Sequence, residues 1–243
     1  MEVCVESLAS AVAAVQGGAS RLELCSALSE GGLTPSLGLF KMVKQAVSIP
    51  VFVMLRPRPG NFTYSLEEVE AIQIDAESLL NAGADGVVFG ALTADGCVDV
   101  ETCKKIINSL PQGTPTTFHR AFDWTHDPSG ALEDIIKLGF HRILTSGHAA
   151  TAEEGIHLLQ LLINQAGSRI TIMPGCGVDG KNLQRILEKT GAFEFHASAR
   201  QSQAVLVHHN PACSMGTQDL NVKTTNVSLV AEMVHIYREV AKK

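Results

Sequence analysis

The stretch Gly83-Ala84-Asp85-Gly86-Val87 closes a helical pattern with a glycine and opens a strand three residues later. Glycine at such a position can adopt the left-handed conformation that ends many helices. Turns of this kind precede the second, fourth, sixth and eighth predicted strands, at 18–22, 83–87, 139–143 and 191–195. The repeat unit therefore consists of two βα modules, and the chain uses it four times.

The segments between these turns alternate strand and helix. Short β-like runs predict strands at 1–5, 20–25, 50–56, 86–90, 115–119, 141–145, 169–173 and 193–197. Apolar residues at i, i+3 and i+4 spacing predict helices at 66–81, 131–138, 152–165 and 182–189. Asp127-Pro128 and Thr34-Pro35 have the form of helix starts, with a capping side chain followed by proline in the first turn.

This alternation predicts a TIM (β/α)8 barrel, because repeated βα units require a parallel sheet. An open doubly wound sheet is the alternative, but it does not require such a repeat. The length of 243 residues matches one barrel of ~250 residues, so 1–243 is expected to form a single domain. Residues 201–223 lack periodicity and predict an irregular loop or insertion before a final helix at 227–241.

Composition excludes several classes of protein. The net charge of −6 and the lack of any Lys/Arg cluster argue against nucleic-acid binding. No apolar stretch approaches the ~18 residues that span a membrane, and the N-terminus lacks the pattern of a signal peptide, so a cytosolic location is expected. The six cysteines form no CxxC pair, which predicts free thiols rather than disulfides or a structural zinc site.

Cys4 and Cys25 each end a β-like run, and each follows a glutamate by two residues, Glu2 and Glu23. Side chains alternate along a strand, so each cysteine shares a face with its glutamate. If the two strands are parallel neighbours with a one-residue stagger, the Cα atoms of the cysteines lie ~6 Å apart. Two thiolates at that distance suit Cu(I), whereas zinc would require four ligands. A disulfide is also compatible with it.

The eighth strand pairs with the first in a closed barrel, and its inward residues would be Glu194, His196 and Ser198. These join the inward side chains of the first two strands on one interior wall. One interpretation is a structural ion network of Glu2, Arg21, Glu23 and Glu194, because buried charges must pair. Cys4, Cys25 and His196 lie nearer the C-terminal strand ends, where barrel sites are built, and we predict a functional role for them.

Two further groups are predicted at the same end of the barrel. His119 ends the fifth strand and is a candidate acid or base, with Arg120 and Asp123 to bind an anion and orient the ring; Arg56 reaches the same region from the third strand. Beyond the seventh and eighth strands, the backbone of Gly175 and Gly177 and the side chains of Ser198 and Arg200 predict an anion site. The alternative for the glycines is a tight turn.

The chain resembles the copper homeostasis protein CutC family from residue 1 to about 200. The resemblance is carried in order by the runs at 1–5, 21–36, 51–58, 118–123, 144–147 and 194–200. It implies a TIM barrel, a homo-oligomer (dimer or tetramer), a location in the cytoplasm and in animals also the nucleus, and Cu(I) binding, for which Cys4 and Cys25 occupy the cysteine positions. Cys176 departs from the Pro-Gly-Gly-Gly of the family and adds a third thiol.

Three functions follow as hypotheses. The first is a copper protein that stores or buffers Cu(I) at Cys4 and Cys25. The alternative is an enzyme acting on a small anionic or phosphorylated metabolite, with His119, Asp123 and His196 as candidate catalytic residues. The third is a scaffold that acts through its oligomer surface.

Overall fold

A computed structural model describes residues 1–203 and 222–242. Eight parallel strands form one sheet with the order β7-β6-β5-β4-β3-β2-β1-β8. They are β1 (Glu2–Val5), β2 (Arg21–Leu24), β3 (Val51–Met54), β4 (Gly86–Phe89), β5 (Thr116–Phe118), β6 (Arg142–Thr145), β7 (Thr171–Pro174) and β8 (His196–Ala197). The pairing of β1 with both β2 and β8 curls the sheet into a nearly closed barrel, as the sequence predicts.

Eight α-helices in the described part of the chain surround the sheet. They are α1 (Leu8–Gln16), α2 (Leu37–Ala46), α3 (Leu66–Asn81), α4 (Val100–Ser109), α5 (Pro128–Lys137), α6 (Ile156–Ala166), α7 (Leu183–Thr190) and α8 (Val227–Val240). The TIM (β/α)8 prediction is confirmed. None of these helices is both long and apolar enough to cross a membrane.

Local signals explain where the helices begin. Ser65 and Glu68 form a reciprocal capping box at the start of α3. Asp127 caps α5 ahead of Pro128, as predicted. The prediction for Thr34-Pro35 is wrong by two residues, because Ser36 caps α2. The Thr34 hydroxyl instead accepts a hydrogen bond from the backbone N–H of Arg56 at 3.0 Å.

The prediction of an irregular segment at 201–223 is wrong at both ends of the segment. Residues Arg200–Gln203 (β9) and Val222–Thr225 (β10) form an antiparallel pair. Mostly polar residues at these positions give no apolar alternation, which explains why the strands were missed. This pair of strands is held to α1 by Thr225, whose N–H donates to Ser10 Oγ at 3.2 Å. The remainder of the segment, 204–221 with Cys213, lies outside the described residues.

The main apolar core lies between the sheet and the helices. Inside the barrel, only a small apolar cluster of Cys25, Phe52, Met54 and Val88 is present among the described residues. Gly86 is needed there, since a Cβ at this position would lie 2.7 Å from the ring of Phe52. The remaining interior positions are largely polar, and they form the candidate site.

Replacing Gly155 with alanine is expected to destabilise the protein by about 3 kcal/mol. A Cβ at Gly155 would lie 1.9 Å from the backbone oxygen of Ser146, and backbone cannot move aside as a flexible side chain does. Urea unfolding measures the change. Gly38→Ala within α2 is the matched control, because its Cβ would meet nothing closer than 3.9 Å and should stabilise the helix. Equal effects from both variants would contradict the crowding at Gly155.

Candidate metal and ligand site

A cavity of about 480 Å³ opens at the C-terminal end of the barrel. It collects most of the residues that the sequence predicts for the site: Cys4, Arg56, His119, Arg120, Gly177, His196, Ser198 and Arg200. Cys176 also lines it, so the predicted third thiol is at the mouth. Cys25, Asp123 and Gly175 are predicted site residues that do not line the cavity.

Cys4, Glu23 and His196 form a compact group in the wall of this cavity. Their candidate ligand atoms all lie within 4.8 Å of one another, and all three side chains are buried. The strand register produces this group, because Cys4 pairs with Glu23 across β1 and β2, and Glu2 pairs with His196 across β1 and β8. A thiol, a carboxylate and an imidazole at this spacing could hold a metal ion.

Glu2 orients the imidazole of His196 from below. His196 Nδ1 lies 2.8 Å from Glu2 Oε1, and its Nε2 lies 3.8 Å from Glu23 Oε2. Burial raises the pKa of Glu2, but the hydrogen bond from His196 and the charge of Arg21 outweigh it and lower that pKa to about 2. Burial lowers the pKa of His196, and the neighbouring Cys4 and Glu23 raise it well above its ordinary value. A metal ion bound at Nε2 would take the place of a proton there.

Cys25 lies farther from Cys4 than the sequence predicts. Because Cys4 pairs with Glu23, Cys25 is two residues farther along its strand rather than one. Strand geometry then separates the two Cα atoms by roughly 8 Å instead of ~6 Å. Both cysteines are free thiols, and Cys25 Sγ donates to Glu23 Oε2 at 3.4 Å. Burial, with the nearby Glu23 carboxylate, raises the pKa of Cys25 well above its ordinary value.

A layer of ion pairs lies beneath the group, at the N-terminal ends of the strands. Arg21 contacts Glu2 at 2.5 Å and Glu194 at 2.6 Å, and Arg142 contacts the same Glu194 oxygen at 2.8 Å. The predicted network is thus present for three of its four members. Glu23 is the exception, because its carboxylate contacts Cys25 and His196 instead.

Arg142 is the member that the sequence prediction missed. It occupies the same place in its glycine turn as Arg21 and Glu194, three residues after Gly139. Aligning the four turns of the repeat would therefore have placed it in the same layer. Its guanidinium also lies over the ring of Phe52, with Cζ 5.5 Å from the ring centroid.

Asp123, a predicted catalytic residue, instead holds the loop after β6. Its carboxylate accepts hydrogen bonds from the Thr145 hydroxyl, from the Ser146 N–H and hydroxyl, and from Arg120 Nε at 2.8 Å. These donors occupy both oxygens. Asp123 is therefore a structural anchor in this arrangement, and Arg120, with 43% of its side chain exposed, remains at the rim of the cavity.

The predicted anion site after β7 and β8 is only partly assembled. The N–H of Gly175 donates to the Thr145 carbonyl at 3.0 Å, so it is not available to an anion. Gly177 and Ser198 line the cavity, and Arg200 does so while its Nη1 lies 3.3 Å from Glu6 Oε1. Gly177 has a φ of +70°, which favours glycine and agrees with the tight-turn alternative.

Aromatic residues of the cavity wall were not predicted. Phe62 and Trp124 come from the loops after β3 and β5, and their rings meet edge to face with centroids 5.3 Å apart. No local sequence pattern identifies them, because their positions depend on how the two loops pack together. Trp124, the only tryptophan of the chain, is 60% exposed.

These features define a (β/α)8 barrel with a buried cysteine–glutamate–histidine group in its C-terminal cavity. The model of the CutC family matches residues 1–201, and the chain belongs to the CutC family.

Relatives cover nearly the whole chain. It is 51% identical to the copper homeostasis protein cutC homolog of Mus musculus, over 99% of this chain and 90% of that protein. Identity to the homolog of Homo sapiens is 49%, over 99% of this chain and 89% of that protein. The crystal structure of a Streptococcus agalactiae protein, named as a copper homeostasis protein CutC, is 35% identical in sequence, with a TM-score of 0.77 over 81% of this chain and 97% of that one.

Proposed function

We propose that this protein acts in copper homeostasis by binding Cu(I) in the barrel cavity, through the thiolates of Cys4 and Cys25 and the imidazole of His196. The observation that carries the proposal is the buried group of Cys4, Glu23 and His196, whose ligand atoms lie within 4.8 Å of one another. The names of the mouse and human relatives, copper homeostasis proteins, support copper as the metal.

The chemistry of the donors fits Cu(I). Thiolate sulfur selects soft ions such as Cu(I), and imidazole nitrogen also binds copper. The Cys4 thiol lies 3.8 Å from the Ala197 carbonyl and also interacts with the imidazole of His196, the other proposed ligand. Glu23 Oε1 is buried and has no hydrogen-bond partner in the described part of the chain, a condition that often marks the place of an ion or a water molecule.

Glu2 would support the metal from behind His196. A histidine that binds a metal through one ring nitrogen usually donates the other N–H to a carboxylate, which fixes the ring and makes the free nitrogen more basic. The contact of 2.8 Å between His196 Nδ1 and Glu2 Oε1 has this form.

Cys25 would complete the site from the other side of Glu23. Its thiol contacts the same carboxylate that faces Cys4 and His196. The stagger of the strands separates the Cα atoms of Cys4 and Cys25 by more than is ideal for two thiolates that bind one ion. We therefore propose that the Cys25 side chain rotates towards Cys4 when the ion binds. A bound ion would displace the Cys25 proton, which is released to solvent, and its positive charge would offset the burial that raises the pKa of this thiol.

The structure offers less support for the enzyme alternative with a phosphorylated substrate. Asp123 is surrounded by hydrogen-bond donors of its own loop, and the Gly175 N–H is used in strand pairing. We also extend to this chain the oligomer, dimer or tetramer, and the cytoplasmic and nuclear location that the family resemblance implies. Sedimentation equilibrium and imaging of the tagged protein test these two extensions.

Anaerobic Cu(I) titration against a competing chelator tests the copper proposal. Cys4→Ser and Cys25→Ser are each expected to lower the affinity by at least about 100-fold, because each removes a thiolate ligand. His196→Gln should lower it as well, and Glu2→Gln by about 10- to 100-fold through the orientation of the ring.

Cys97→Ser is the matched control, since Cys97 is a half-exposed thiol away from the cavity. Its affinity for Cu(I) should equal that of the wild type. An equal loss from Cys97→Ser, or an unchanged affinity in Cys4→Ser, would show that copper binds elsewhere.

A further inference from the structure

The cavity contains a buried arginine that has no counter-ion among the residues that the structure describes. Arg56 is 6% exposed and lines the cavity. Its guanidinium donates to the carbonyls of Glu30, Gly32 and Gly60 at 2.6, 3.2 and 3.0 Å. Within the described residues no carboxylate lies at ion-pair distance from it, whereas Arg120 and Arg200 at the rim are both paired. A buried cation without an opposite charge is strongly unfavourable, so this position favours an anion in the cavity.

His119 provides a second unsatisfied donor beside Arg56. Its Nδ1 accepts a hydrogen bond from the Ala121 N–H at 3.3 Å, which places the proton on Nε2. Burial and the charge of Arg56 lower the pKa of His119 to about 3, so the ring is neutral near pH 7. His119 Nε2 and Arg56 Nε are both buried and have no hydrogen-bond partner within 1–203 and 222–242. Two N–H groups are thus left without an acceptor in one corner of the cavity.

Phe62 covers both donors. Its ring centroid lies 4.9 Å from that of His119 and 5.0 Å from Arg56 Cζ. An anion therefore reaches the donors by displacing the Phe62 ring, and Trp124, which packs edge to face on Phe62, changes its surroundings at the same time. The fluorescence of Trp124, the only tryptophan, is thus expected to report on this corner of the cavity.

The backbone is shaped around the two donor side chains. A Cβ at Gly90 would lie 2.8 Å from His119 Nδ1, and a Cβ at Gly31 would lie 3.3 Å from Arg56 Nη1. Glycine at these positions lets β4 and the loop after β2 approach the ring and the guanidinium. The corner is therefore enclosed by backbone as well as by side chains, which is typical of a ligand site rather than of a chance surface charge.

We infer that this corner of the cavity binds the carboxylate of a small organic acid, with its oxygens accepting hydrogen bonds from Arg56 Nε and His119 Nε2 and its organic part against Phe62 and Trp124. A carboxylate matches one positive charge and two free N–H groups. A phosphate has more oxygens to satisfy, and three of the four Nη N–H groups of Arg56 are already committed to backbone carbonyls, which leaves few donors for them. The inference does not depend on copper.

The test uses the metal-free full-length protein with a chelator present, so its failure leaves the copper proposal unaffected. Trp124 fluorescence is titrated with sodium acetate, pyruvate and benzoate, and with sodium phosphate and sodium chloride at equal ionic strength. At ten times the half-saturating concentration, a bound carboxylate should raise Tm by about 2–4 °C. Phosphate should act no more strongly than chloride.

Variants then assign the binding to the two donors. His119→Phe and Arg56→Lys should weaken carboxylate binding at least about tenfold, since each removes one donor, while His119→Gln keeps an N–H and should bind more tightly than His119→Phe. Arg58→Lys is the matched control, because Arg58 pairs with Glu68 and does not line the cavity.

Three results would overturn the inference: carboxylates that act no differently from chloride, phosphate that binds at least as well, or variants of both donors that bind like the wild type. If His119→Phe does not fold, Arg56→Lys decides the assignment, and the comparison of anions on the wild type stands by itself.

Discussion

Replacing Arg21 with methionine is expected to lower the free energy of unfolding by about 3–5 kcal/mol. The Glu2 carboxylate is fully buried, and Arg21 contacts it and Glu194 at 2.5 and 2.6 Å. Methionine keeps much of the side-chain volume but leaves these carboxylates with a single remaining partner each, His196 for Glu2 and Arg142 for Glu194. Urea unfolding monitored by circular dichroism measures the loss.

A double-mutant cycle distinguishes the ion pair from lost packing. Glu2→Gln in the Arg21→Met background should cost less than Glu2→Gln alone, because the two side chains contact each other. Arg169→Met is the control, since its pair with Glu133 is exposed and should contribute far less. An additive cycle would mean that Arg21 and Glu2 do not interact in solution.

Acidification is expected to remove stability through His119. Burial and the charge of Arg56 lower the pKa of this imidazole from 6.5 to about 3 in the folded protein. Between these values the unfolded chain holds a proton that the folded protein does not, so stability is complete above pH 6.5 and falls as the pH decreases. The slope is about 1.4 kcal/mol per pH unit, and the total loss near pH 3 is about 4–5 kcal/mol.

Comparison with His119→Gln isolates this contribution from that of the carboxylates. Unfolding free energies of both proteins are measured between pH 3.5 and 7.5, and the variant should lose stability less steeply below pH 6.5. His157→Gln, an exposed histidine on α6, should follow the wild type. Parallel curves for wild type and His119→Gln would show that the ring is protonated in the folded state.

The fold could be predicted because its signals are local. The glycine turn at 83–87 marks the end of α3 and the start of β4, and the capping pair at Asp127-Pro128 marks the start of α5. Each depends on backbone conformation and hydrogen bonds within a few residues. The strands β9 and β10 have polar residues on both faces, and this removes the periodic signal.

The sequence predicted only those site residues whose position follows from the alternation of side chains along a strand. Alternation placed Cys4, Glu23 and His196 inside the barrel, and their meeting is a consequence of that alternation and of pairing between neighbouring strands. The stagger of β2 against β1 is a property of the whole barrel, so the position of Cys25 relative to Cys4 was not predicted correctly.

Loop residues were the least predictable part of the site. Asp123 lies in a 3-10 turn whose hydrogen bonds run to the loop after β6, more than twenty positions away in sequence. Phe62 and Trp124 meet across two different loops. Such contacts depend on the folded arrangement rather than on any local pattern, and the sequence contains no signal for them.

Among the described residues, the layer of ion pairs beneath the site occupies the end of the barrel opposite the cavity mouth. Arg21, Glu2, Glu194 and Arg142 fill the N-terminal end, and the cavity opens at the other. The half-exposed thiol of Cys176 lines this cavity, so we expect a ligand that enters from the C-terminal end to pass close to it. In the described part of the chain, this geometry favours exchange of a ligand at the mouth of the cavity over passage through the barrel.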